Sequence, residues 1–184
     1  MMEISTERIK SMNISPNAIL IIAAVFGVSF LMMIPIAIMQ SKNKKKAREF
    51  ESSNKNSAVL HIYADGPVID GKKVKEMDFQ RGTDLQYIIA LSPGKHTLEA
   101  KYSTTDVSLG KNVNYKTPKP IISELNLEAG YSYTIAIYFY SPEQRYSYYK
   151  GDVGETAFSQ ELDITGGGLG VNKAYIICYK EKPL

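Results

Sequence analysis

Two different hydrophobic periodicities divide this chain. From Ala18 to Met39 the sequence AILIIAAVFGVSFLMMIPIAIM runs for 22 residues without a charge. At 1.5 Å per residue such a run spans about 33 Å as a helix, the thickness of a bilayer core. A helix in a soluble core would keep a polar face, and this segment has none. Ser15 and Pro16 read as N-cap and first helical residue, and Pro35 falls near the far end, where a kink disturbs few backbone hydrogen bonds. The pattern predicts a transmembrane helix over 18–39.

Beyond Ser57 the period changes to two. In HTLEAKY, His96, Leu98, Ala100 and Tyr102 point one way and Thr97, Glu99 and Lys101 the other. In YSYTIAIYF, Tyr131, Tyr133, Ile135, Ile137 and Phe139 share one face, with Ser132, Thr134 and Ala136 opposite. Further strands are predicted at 58–64, 85–91, 121–127, 157–164 and 174–180. Turn chemistry separates them. The Asp-Gly of IDGK (69–72) suits a two-residue hairpin, the Pro-Gly of SPGK (92–95) a type II turn, and EAG (128–130) precedes another strand. At SPEQRYSYYKG, Ser141 and Gln144 match a capping box with Pro142 at the first helical position, so a helical turn competes there with a hairpin.

The expected fold is therefore mainly β: an N-terminal single transmembrane helix, then an antiparallel β-sandwich of about seven strands. The organisation is a tail (1–17), the helix (18–39), a basic juxtamembrane tether (40–56) and a β-sandwich domain (57–184). A cleaved signal peptide fits poorly, because the run is long, MMEISTERIK is charge-balanced, and no small-residue cleavage pattern follows. No cysteine follows the run to carry a lipid, so the helix itself is expected to hold the protein.

Charge sharpens this reading. The net charge of +3 is concentrated after the helix, at Lys42, Lys44, Lys45, Lys46 and Arg48, where a lipid headgroup layer explains it better than nucleic acid. Only Arg8 and Lys10 precede the helix, so the charge asymmetry favours a cytoplasmic C-terminal domain. Cys178 is the single cysteine, which excludes an intramolecular disulfide and a cysteine metal cluster.

Candidate chemistry is sparse. Lys95 and His96 sit behind a Pro-Gly pair, but the alternation turns His96 toward the core. His61 and His96 lack cysteine partners and HExxH-like spacing, so no metal and no cofactor are expected. TGGGLGVNK (165–173) lacks the spacing of a phosphate loop and reads as a connection between two strands. Asp152, Glu155, Glu161 and Asp163 could supply a carboxylate pair for a membrane-tethered hydrolase, provided a cleft gathers them. No GxSxG is present. The densest feature is aromatic: YSYTIAIYFYSPEQRYSYYKGD, from which Tyr138, Tyr140, Tyr146 and Tyr148 form a candidate binding surface.

The succession VIDGKKV, IALSPGKHTLEAKY and ISELNLEAGYSYTIAIY resembles the compact β-sandwich modules related to PEGA-type and transthyretin-like domains of bacterial envelope proteins. The likeness covers residues 58–140, lacks the Pro-Glu-Gly-Ala-like tetrapeptide, and rests on turn and strand motifs, which speak to fold rather than function. It implies a domain facing away from the cytoplasm, opposite to the charge rule. The leading functional expectation is a non-enzymatic, single-pass membrane protein presenting an interaction module to a protein or envelope component. The alternatives are the hydrolase and a structural subunit of a membrane complex, whose helix would pack through Ala23, Ala24, Gly27 and Ser29.

Overall fold

The computed structural model describes residues 16–106, 113–148, 154–165 and 171–184. They divide into two compact units, one up to Gln40 and one from Ser41 to the end. The helix α1 is Pro16–Ser53, with Pro35 inside it. Among the described residues no helix is long and apolar enough to cross a membrane. Most side chains of the 18–39 stretch, on which the spanning expectation rests, lie outside the described residues.

The second unit is mainly β. Twelve strands run through its described residues: β1 (Ala58–Ile62), β2 (Asp65–Ile69), β3 (Lys72–Lys73), β4 (Phe79–Arg81), β5 (Tyr87–Leu91), β6 (Gly94–Lys101), β7 (Ser103–Asp106), β8 (Val113–Lys116), β9 (Ile121–Leu127), β10 (Tyr131–Tyr138), β11 (Glu155–Thr165) and β12 (Val171–Pro183). A six-stranded sheet has the order β11-β12-β10-β1-β5-β4, a four-stranded sheet β3-β2-β6-β9, and β7 and β8 form a two-stranded ribbon. All seven predicted strands are present. The additional five are short or irregular: β2 carries Pro67 where its pairing with β6 shifts register, a position that spares the ladder a missing N–H.

One expectation needs correction, and one open alternative is resolved. The larger sheet is mixed, not antiparallel, because β1 and β10 run parallel through Val59↔Ser132 to Ile62↔Ile135. Period-two alternation reports which face a residue takes but is blind to strand direction, so this pairing left no local trace. At 142–148 the capping box wins over the hairpin. A second helix, α2 (Pro142–Tyr148), starts at Pro142, and the Ser141 N–H donates to Gln144 Oε1 at 2.9 Å.

The inner faces of the two large sheets share one apolar core. Leu60, Ile62, Ile89, Tyr133, Ile135, Ile176 and Cys178 come from one sheet, and Ile69, Leu98, Ala100, Leu125 and Leu127 from the other. Each leucine or isoleucine among them, fully withdrawn from water, stabilises the fold by about 1.5–3 kcal/mol before entropy is charged against it. The outer face of the four-stranded sheet is polar at Thr97, Glu99, Lys101, Glu124 and Asn126, which are exposed. The outer face of the six-stranded sheet is different: Val59, Ile88, Ile177 and Tyr179 are fully buried there as well. Residues 41–53 of α1 lie on this face, with the Asn43 amide on the Gly82 carbonyl at 3.5 Å and Glu51 Oε1 3.0 Å from His61 Nε2. The polar segment predicted as a tether is thus helical and belongs to the same compact unit as the strands.

The hairpin turn between β2 and β3 follows its sequence. Asp70 and Gly71 hold φ of 50° and 79°, the pair of positive angles that a two-residue type I′ turn requires. Gly94 (φ 131°) and Gly130 (φ 79°) likewise take positive φ in the two other predicted turns.

Candidate functional site

The tyrosine-rich stretch ends β10, turns at 139–141 and enters α2, so its aromatic side chains cannot all follow one strand alternation. Tyr138 packs beside Tyr140 (ring centroids 5.0 Å) and edge-on to Tyr179 of β12 (5.6 Å). Arg145, from the middle of α2, lays its guanidinium 3.4 Å from the centre of the Tyr179 ring and reaches Glu181 at 3.7 Å. A guanidinium stacked on a ring and facing a carboxylate is held by both the ring quadrupole and charge. Burial first, and neighbouring Tyr140 second, push the Tyr138 phenol above its ordinary value, with Arg145 pulling the other way. A phenol so held serves stacking and hydrogen bonding, not proton transfer at neutral pH.

Of the four proposed contact tyrosines, Tyr138 and Tyr140 are half-buried in this cluster, while the side chains of Tyr146 and Tyr148 lie outside the described residues. Phe139, placed by alternation on the core face, is instead exposed beyond the end of β10, edge-on to Tyr115 at 5.1 Å. Arg145 and Glu181 are partners that sequence reading missed. Arg145 sits one helical step from the capping residue, and only the helix turns it onto β12.

The histidines are separated. His96 Nδ1 lies 2.7 Å from Asp70 Oδ2 and its Nε2 2.8 Å from the Ser92 carbonyl, while His61 meets Glu51. Among the described residues no group of three or more His, Cys, Asp or Glu could hold a metal ion. Cys178 is buried, and that burial, with a smaller contribution from Glu181, pushes its thiol up to about 12. A thiol so poised carries almost no thiolate at neutral pH, which makes it inert while the domain is folded.

No protein-family model, curated protein or solved structure matches this chain. Its chemistry must be read from its own residues. Of the acidic candidates, Asp152 and the Asp163 side chain lie outside the described residues. Glu155 and Glu161 stand six residues apart on β11, about 20 Å by strand rise, beyond the separation at which two carboxylates flank a glycosidic bond. Glu161 is instead paired with Lys173 at 2.6 Å across the β11–β12 ladder. Thr165 and Val171 face each other as the ends of β11 and β12, so TGGGLGVNK joins two strands; residues 166–170 lie outside the described residues. Lys42, Lys44, Lys45, Lys46 and Arg48 are all exposed.

Proposed function

We propose that this chain is a single-pass membrane-anchored, non-enzymatic interaction module, in which residues 18–39 hold the β unit at a bilayer and the tyrosine surface of Tyr138 and Tyr140, which packs with Tyr179 while Phe139 packs with Tyr115, meets a protein partner. The observation that carries the reading is the join of an apolar helix to a charged one. Ile21, Val25, Ile34, Ile38 and Met39 are large, apolar and exposed on α1, and five exposed cations follow within nine residues of Met39. Exposed apolar side chains of that density are stable in hydrocarbon and costly in water. The cations suit the anionic headgroups of a cytoplasmic leaflet, which puts the β unit on that side. The likeness to envelope β-sandwich modules argues for the opposite side, and the same experiment decides between them.

Membranes carrying the full chain are washed in alkaline carbonate and then treated with protease on one face. The chain remains in the membrane pellet, and the β unit is digested in inside-out vesicles while it survives in right-side-out ones. Release by carbonate would end the anchor reading. Digestion in the right-side-out preparation would reverse the orientation.

A further inference from the structure

Among the described residues of the β unit, three large apolar side chains are strongly exposed: Leu85 (64%), Ile122 (62%) and Phe139 (40%). The strand pairings place two of them at one end. Ile62, the last residue of β1, pairs with Ile135 of β10, so Phe139 lies past the end of β1. Ile62 also pairs with Tyr87, which pairs with Arg81, so the 82–86 loop joining β4 to β5 turns at that same end and carries Leu85. Ile122 stands further back, opposite Glu99 on the outer face of the other sheet. The turns at Asp70–Gly71, Ser92–Gly94 and Glu128–Gly130 lie at the opposite end.

The chain enters the β unit at the Leu85 end, because Asn43 is bonded to Gly82 there. Met39, the last residue of the apolar run, is four residues from Asn43, and four residues reach at most about 14 Å however they are arranged. A bilayer holding Met39 is therefore within reach of the 82–86 loop. That loop is also held in a fixed shape. Leu85 takes φ of 61°, its carbonyl accepts the Arg81 guanidinium, and Arg81 is itself stacked on the Tyr87 ring at 3.7 Å. A leucine kept in the left-handed region costs free energy, and here the surrounding contacts fix it pointing outward.

We propose that this end of the β unit is a lipid-docking face, in which Leu85 and Phe139 enter the headgroup layer of an anionic membrane and the cations at 42–48 hold the surface there. The proposal rests on the anchor reading above. It makes the β unit lie against the bilayer rather than swing from it, with the far-end turns presented to the aqueous side.

The test uses the full chain reconstituted in phosphatidylcholine vesicles containing phosphatidylserine. Leu85→Cys and Phe139→Cys, each labelled with an environment-sensitive fluorophore, are compared with Lys72→Cys at the β2–β3 hairpin; Cys178 is buried and stays unlabelled. Leu85→Cys and Phe139→Cys emission shifts to the blue and is quenched about twofold or more by nitroxide-labelled lipids, while Lys72→Cys is unaffected. Anchoring is scored separately by flotation in high salt. Flotation with water-like emission at both sites overturns the docking face and leaves the anchor standing. A blue shift without lipid quenching means that protein, such as a second copy, covers these side chains, and also overturns it. Failure to float removes the anchor and the docking face together.

Discussion

Asp70 shows how much one side chain settles in this domain. Its positive φ begins a type I′ turn, Oδ1 accepts the Thr97 N–H at 2.9 Å, and Oδ2 meets His96 at 2.7 Å. Partial burial alone would raise its carboxyl, but the Thr97 N–H and the His96 imidazole together outweigh it and hold the group below its ordinary 3.8. A depressed folded-state value contributes stability that is present above the unfolded value and lost as pH falls below it. Asp70→Asn keeps a residue tolerant of positive φ and removes the charge. Because the carboxylate is half exposed, the expected loss is only about 0.5–1 kcal/mol at neutral pH. Urea denaturation at about pH 7 and about pH 3 checks the sign: the gap between wild type and variant narrows at the lower pH. His96, expected simply to face the core, spends both ring nitrogens joining the two turns IDGK and SPGK. It remains a fold residue, held by polar contacts that alternation does not reveal.

At the scale of elements, the β11–β12 hairpin depends on a glycine whose role lies in a contact, not in its φ. A Cβ at Gly154 would fall 2.1 Å from the Lys180 carbonyl oxygen, a backbone atom that the β11–β12 pairing cannot release. Gly154→Ala is expected to cost about 2–3 kcal/mol and lower the melting temperature, because the start of β11 must move away from β12. A circular-dichroism melt unchanged from wild type would show that this junction yields freely. The short helix α2 illustrates the complementary case. Its start was legible in Ser141, Pro142 and Gln144, since capping is local chemistry. The packing of Arg145 on Tyr179 was not, since Tyr179 lies more than thirty residues further along the chain.

For the whole molecule, the decisive feature is that the β unit begins at Ser41 and uses residues 41–53 as a cover. Val59 and Ile88 are fully buried on the outer sheet face, on the same side as His61, which the helix contacts through Glu51. A chain beginning at residue 41 is therefore expected to unfold in a single cooperative transition. One beginning at residue 57 exposes that face and loses several kcal/mol or aggregates. Guanidinium denaturation with a dye that reports exposed apolar surface checks both. Equal stability of the two chains would show that the helix is only a tether.

Features that depend on neighbours along the chain were legible before any packing. The seven predicted strands, the Asp-Gly turn, the α2 cap, the apolar run and the basic cluster each follow from periodicity, backbone sterics or charge within a few residues. Tertiary structure decided what depends on partners distant in sequence: the parallel pairing of β1 with β10, the helix laid over the outer sheet face, the separation of His61 from His96, and the stacking of Arg145 on Tyr179. Alternation assigns a side chain to a face, but whether that face meets water, a helix or another sheet is fixed only when the layers pack. For the tyrosine stretch this difference matters most. Composition picked out the aromatic residues, and packing turned Tyr138 into a half-buried support while leaving Phe139 exposed at the end where the chain enters the β unit.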